Sequence, residues 1–232
     1  MTQPAQPISD YDFIDFGASK GGSLSWAAGA FGGRGIGVDI SPAKIQRLTQ
    51  AGHAGFVADA TSLDLPDGSF RYATMMNFLE HLPDRQTGER IIASAVRVSR
   101  DFAFILGPNF DEAATLRRLG LKKYFADWSG HTWHHTTQEL GEILSGLGHP
   151  FKLIEFGEIR HSSHPYLLPL EAGRNRSAYD PALDPPKPDT KIRRGVFGWV
   201  AAVVWKNPAV DVADILLKAA GCRVVPVGRA GG

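Results

Sequence analysis

Cysteine is nearly absent: Cys222 is the only one in 232 residues. No intrachain disulfide can form, which excludes a disulfide-stapled secreted scaffold, and a lone thiol so near the C-terminus reads as incidental rather than nucleophilic. Long apolar runs are equally scarce. The longest, residues 196–205, is ten residues, about half of what a membrane helix needs. The opening MTQPAQPISDYD has neither the basic start nor the apolar core of a secretory signal. A cytoplasmic protein with no membrane span is the expectation. Charge bias is missing too. A net charge of +1 argues against nucleic acid or an anionic membrane as a general partner, and no internal repeat is visible.

What is present starts with residues 11–22, YDFIDFGASKGG. An apolar run carrying Asp15 breaks into a glycine-rich turn, the way a parallel sheet presents a ligand site. Gly17 and Gly21 let the backbone turn sharply and approach a ligand closely. Residues 23–31 suit a helix whose first amides face that turn. Residues 34–39, RGIGVD, read as a second buried strand ending in Asp39, 22 positions after Gly17. A carboxylate so placed accepts both hydroxyls of a ribose, because two neighbouring donors suit one bidentate acceptor. Ser41 and Pro42 then open another helix as N-cap and first-turn residue.

Further along, short strands are expected at 54–58, 70–76 and 101–106, with a turn at LPDGSF and a helix from Asp84 or Thr87 to about Ser99. Strands alternating with helices imply parallel pairing with right-handed crossovers. Ligands of such sheets lie beyond the carboxyl ends of the strands. Gly17, Asp39, Asp59 and Asn77 all fall at such ends. The second half is less regular. It holds a short helix at 111–119, an aromatic and basic loop at 121–133, a helix opened by the capping box TTQE at 136–139, and a sixth strand at 151–157. Residues 158–194, rich in Pro, Arg, His and Ser, read as a lid, a partner-binding insertion or a disordered excursion. A last strand at 195–206 and a helix at 210–220 follow.

Four ordered segments, DFGASKGG (15–22), GVDIS (37–41), ADATSLDLPDGSF (58–70) and NFLEHLPD (77–84), resemble the class I S-adenosylmethionine-dependent methyltransferases, in particular their small-molecule group. The likeness covers about residues 11–157 and extends through the final strand to about 206. It implies a Rossmann-like α/β fold: a seven-stranded, mostly parallel sheet with helices on both faces and an antiparallel last strand. The chain would then be one domain over 1–232, with an insertion at about 158–194 and a short tail. The resemblance further implies that Asp15 and the turn through Gly17, Ser19 and Gly21 hold the methionine part of S-adenosylmethionine. Asp39 and Ile40 would flank the ribose, Asp59 and Ala60 the adenine, and Asn77 the sulfonium end. Ser19 stands where the family usually has glycine, and Lys20 is an uncommon neighbour.

The implied acceptor is a small molecule or a glycan- or lipid-linked group, with oxygen favoured as the methylated atom. A hydroxyl acceptor benefits from a base near neutral pH, and histidine suits that. His81 is one candidate, and the cluster His131, His134 and His135 is the other. Each also has a plainer reading as a loop or helix-turn residue. A metal is not expected, because no acidic or cysteine ligand lies at a useful spacing from the cluster. Tyr124, Trp128 and Trp133 could frame an acceptor or belong to the core. Arg117, Arg118, Lys122 and Lys123 could attract an anionic group or form a solvated basic face. Three alternatives stay open: a nicotinamide-dependent oxidoreductase, which would also use the Gly17 turn and Asp39, a cofactor-binding protein without turnover, and, more remotely, an RNA-modifying enzyme.

Overall fold

The computed structural model describes residues 7–221, so Cys222 lies outside the described residues. Strand β1 (Phe13–Phe16) runs into helix α1 (Gly22–Phe31), followed by β2 (Gly35–Asp39), α2 (Pro42–Gln50), β3 (Ala54–Val57) and β4 (Phe70–Met76). Then come α3 (Arg85–Val98), β5 (Ser99–Pro108), α4 (Ala113–Arg118), β6 (Leu121–Lys123) and α5 (Thr137–Gly146). The chain closes with β7 (Phe151–His161), β8 (Leu167–Pro169), β9 (Lys191–Trp205) and α6 (Val212–Gly221).

Seven strands form one sheet in the order β3-β2-β1-β4-β5-β9-β7. The first five pair in parallel, whereas β9 runs antiparallel to both β5 and β7. That is the expected Rossmann-like arrangement with its antiparallel last strand. Period-two alternation divides the sheet between two cores. Ile14, Phe16, Ala73 and Met75 pack with Ile91 and Ile92 of α3 and Leu140 and Leu144 of α5. Phe13, Tyr72 and Phe104 pack on the other face with Leu24 of α1, Leu48 of α2 and Ile215 of α6. On that second face Tyr72 is stacked between Phe13 (4.6 Å) and Phe102 (5.0 Å), so three adjacent strands share one aromatic column.

The second half departs from the sequence reading. The stretch 121–133 is not a plain loop: it forms β6 and a 3-10 turn, Tyr124–Asp127. Segment 158–194 is shorter as an excursion than expected, because β7 continues to His161 and β9 begins at Lys191. Gly157, at φ +70°, supports that continuation by letting the strand bend over Trp199. Beyond it, Ile159, Ile192 and Val196 are buried between charged neighbours and pack with Leu116, Leu121 and Leu167 as a small separate core. Period-two alternation is present there but masked by the exposed Glu158, Arg160, Arg193 and Arg194. The remaining excursion, 162–190, contributes β8, which pairs antiparallel with β6.

Candidate active site

The turn after β1 is held by its own backbone. Gly17 sits at φ +71°, its N–H donates to Val38 O at 2.8 Å, and a Cβ there would collide with the Phe78 ring. Ser19 (φ 48°) and Gly21 (φ 89°) are also left-handed, so Ser19 occupies a backbone position that glycine adopts more easily. Gly21 N–H returns to Ala18 O at 2.8 Å and closes the turn onto α1.

Behind this turn Asp15 is fully buried. Thr74 Oγ1 donates to its Oδ1 at 2.7 Å and the Ser23 hydroxyl donates to Oδ2. Burial raises its carboxyl to about 7, against the lowering effect of those two bonds. Asp15 therefore ties β1 to β4 and α1 and supports the turn from beneath.

Asp39 is 6% exposed. Its Oδ1 accepts from Ser41 N–H at 2.9 Å, Lys44 Nζ stands 3.4 Å from Oδ2, and Oδ2 has no hydrogen-bond partner among the described residues. Oδ2, with only that Lys44 ammonium beside it, has room for a hydrogen-bond donor, and a ribose hydroxyl fits. Ala58 N–H donates to Asp39 O at 3.2 Å and brings the Asp59 turn alongside. Asp59 is exposed. Its Oδ1 accepts from the Thr61 hydroxyl at 2.7 Å and the Thr61 N–H at 2.8 Å, which lower its pKa, and Ala60 opens the 3-10 turn that follows. Asn77 takes a left-handed conformation (φ 49°) at the end of β4, its N–H bonded to Leu106 O at 2.8 Å. Gly17, Asp39, Asp59 and Asn77 thus stand at one edge of the sheet, and Ile40, 70% exposed, flanks Asp39 with an apolar surface.

Residues 14–104 match a family described as a methyltransferase domain. The chain carries a class I S-adenosylmethionine-dependent methyltransferase domain. This methyltransferase resembles in fold an S-adenosylmethionine-dependent methyltransferase of Methanosarcina mazei, at 19% identity over 85% of this chain and 93% of that one, with a TM-score of 0.53. A methyltransferase of Archaeoglobus fulgidus gives 18%, 84%, 85% and 0.57. A possible histamine N-methyltransferase of Thermotoga maritima gives 17%, 88%, 84% and 0.53. At such identities the likeness bears on the fold alone. No curated protein matches the chain by sequence. The cofactor is S-adenosylmethionine, which sets aside the nicotinamide alternative.

Beside Asp39 and the Gly17 turn lies a layer of histidines. His81 closes the 3-10 turn Leu79–His81, with Nδ1 2.7 Å from Gly130 O. Its ring is 4.9 Å from that of His131, whose Nδ1 is 2.9 Å from Phe125 O. Burial lowers both, His131 to about 4, and the charges of Lys44 and Asp39 reach His81. His134 stacks on Phe110 at 4.4 Å, and the two border a cavity of ≈ 230 Å³ that also meets Leu116, Lys122 and Leu170. His135 differs from the others. It is buried, packed edge-on to Phe110 and Trp133, with neither ring nitrogen bonded.

Two further sequence readings change. Lys122 and Lys123 are buried, not part of a solvated basic face, while Arg117 and Arg118 are exposed. Lys123 Nζ donates to Asn109 O (2.6 Å), Phe197 O (2.7 Å) and Asp111 O (3.1 Å), and burial brings it down to about 8. Tyr124 and Trp133 belong to the core, whereas Trp128 is half-buried and donates through Nε1 to Arg176 O at 3.0 Å, fastening the excursion over the loop. Glu80 was legible only as a letter of LEHLPD. It is 2% exposed and pushed up to about 8 by burial, and its carbonyl accepts from Thr132 (2.8 Å) and Trp133 (3.2 Å), which folds the His131 loop against it.

Among the described residues no helix is long and apolar enough to cross a membrane.

Proposed function

We propose that this methyltransferase methylates a hydroxyl oxygen of a small molecule with an apolar or ring-shaped body, free or as part of a glycan- or lipid-linked group. The supporting observation is the cavity walled by Phe110, Leu116, Leu170 and His134, directly beside the histidine layer. When bound, S-adenosylmethionine supplies an electrophilic methyl group on a sulfonium. The protein's part is alignment and exclusion of water. Asp39 Oδ2 takes a ribose hydroxyl, the Gly17 turn and Ser19 cradle the methionine part, Asp59 and Ala60 meet the adenine, and Asn77 lines the reacting end. A main-chain carbonyl only accepts hydrogen bonds, so Nδ1 of His81 and of His131 carries the proton. Each neutral ring then keeps a lone pair on Nε2. Those two lone pairs are the groups placed to handle the acceptor's hydroxyl.

The test is incubation with methyl-labelled cofactor and cell extract, followed by product identification. An O-methylated small molecule is expected. A product methylated on nitrogen or carbon would overturn the choice of atom. Tight S-adenosylhomocysteine binding with no labelled product in any fraction would favour a binding protein without turnover.

A further inference from the structure

We propose that Glu80, His81 and His131 form a binding site for one first-row divalent cation, next to Phe110, which packs edge-on to His131 and lines the cavity. The three residues come from segments about fifty positions apart, yet each offers a ligand atom within 4.8 Å of the other two. Ligands bound at about 2.1 Å from one ion stand roughly 3–4 Å apart, so closure by about 1 Å completes the set.

Three independent features favour a cation over an accidental cluster. Both imidazoles are oriented through Nδ1 by a main-chain carbonyl, Gly130 O at 2.7 Å for His81 and Phe125 O at 2.9 Å for His131. That second bond fixes the tautomer and directs the Nε2 lone pair outward, the usual arrangement of a metal-bound histidine. Glu80 is 2% exposed and its Oε2 has no hydrogen-bond partner among the described residues. A buried carboxyl left unpaired is costly unless it binds something. The loop carrying His131 is clamped to the Glu80 carbonyl by the Thr132 and Trp133 amides, so the ligands are held on one framework.

Two neutral imidazoles and one carboxylate suit Zn²⁺, Mn²⁺, Co²⁺ or Fe²⁺ better than Mg²⁺, which prefers all-oxygen surroundings. Three protein ligands leave coordination positions open. On the acceptor reading above, from which this orientation is taken, a bound cation would offer those positions to the acceptor oxygen and make its hydroxyl more acidic, with His81 and His131 then serving as ligands in place of bases. Sequence spacing hid the site because its acidic member lies far along the chain from the histidine cluster.

The experiment uses the full chain stripped with chelator, titrated calorimetrically with Zn²⁺ and followed by visible absorption with Co²⁺. One equivalent should bind, with Mg²⁺ at least tenfold weaker. His131→Ala and His81→Ala should each weaken Zn²⁺ at least tenfold and abolish the Co²⁺ bands, while His164→Ala should change neither. Glu80→Gln should weaken the cation similarly, and circular dichroism checks that it folds. The partly exposed histidine variants carry the test if it does not. No stoichiometric uptake, or uptake unchanged in both histidine variants, overturns the site. S-adenosylhomocysteine is titrated into the same samples: its binding without cation uptake sinks this site alone, whereas cation uptake without it sinks the methyltransferase reading and leaves the site standing.

Discussion

The strand-end edge of the sheet, with Gly17, Asp39, Asp59 and Asn77, and the layer formed by β6, β8 and the histidine loop are built in different ways. At the strand-end edge most contacts are short-range in sequence or follow strand register: Gly17 to Val38, Asp39 to Ser41, Ala58 to Asp39. In the other layer Lys123 reaches Phe197, Trp128 reaches Arg176, and β6 pairs with β8 more than forty residues away. The first region is a set of local motifs brought side by side by parallel pairing. The second is a small fold of its own, with separate apolar clusters around Ile159 and Phe125. Changes in the first region should therefore act on ligand affinity or local electrostatics, and changes in the second on stability.

The largest expected effect comes from Asp15, buried beneath the Gly17 turn. Its carboxyl titrates near 7 when folded against 3.8 in the unfolded chain. As pH rises the unfolded state releases this proton first, so the contribution is fully present below about 4 and is lost as pH climbs to about 7. At roughly 1.4 kcal/mol per unit the loss is on the order of 4 kcal/mol. Denaturant titrations at pH 4 and pH 8 should show this slope, and Asp15→Asn should reduce it, leaving the part that the buried Glu80, pushed up to about 8, contributes over the same range. A slope unchanged by that substitution would mean that another group carries it.

Next is Lys123→Met, which strips three main-chain carbonyls of their shared donor. It should destabilise the fold by about 3 kcal/mol and leave S-adenosylhomocysteine affinity within about twofold once folded. A large affinity loss at unchanged stability would break the division between the two regions.

Asp39→Asn should do the reverse. Loss of a charge-assisted bond to the ribose is worth about 2 kcal/mol, or about thirtyfold in S-adenosylhomocysteine binding by calorimetry, with little change in melting temperature. The smallest effect is at Thr136, whose hydroxyl accepts from Glu139 N–H at 3.1 Å in a complete capping box. Thr136→Ala should cost about 1 kcal/mol of stability and nothing in cofactor affinity.

Much of the strand-end placement was legible beforehand: Gly17, Asp39 and Asn77 stand at the ends of β1, β2 and β4, and could be read there because a strand end, a turn glycine and an acidic residue recur at spacings set by strand and helix lengths. Their partners were not. Thr74 beneath Asp15 and Phe78 against Gly17 come from β4 and the turn after it, and no local signal ties them to the first turn. The histidines were readable as a cluster but not by role, since only the structure separates the exposed His134 from the buried His135 and joins His131 to His81. Strands β7 and β9 were cut short because their outer halves alternate charge with single buried apolar residues, a pattern easily taken for a loop.

Sequence by itself determined the alternation of elements, the strand-end residues and the family likeness, because these follow from local steric preferences and short-range periodicity. Tertiary structure alone decided which histidines lie beside Glu80, which lysines are buried and where the excursion docks. Those outcomes depend on burial and on contacts between segments tens of residues apart, whose energies exist only once the chain has closed on itself.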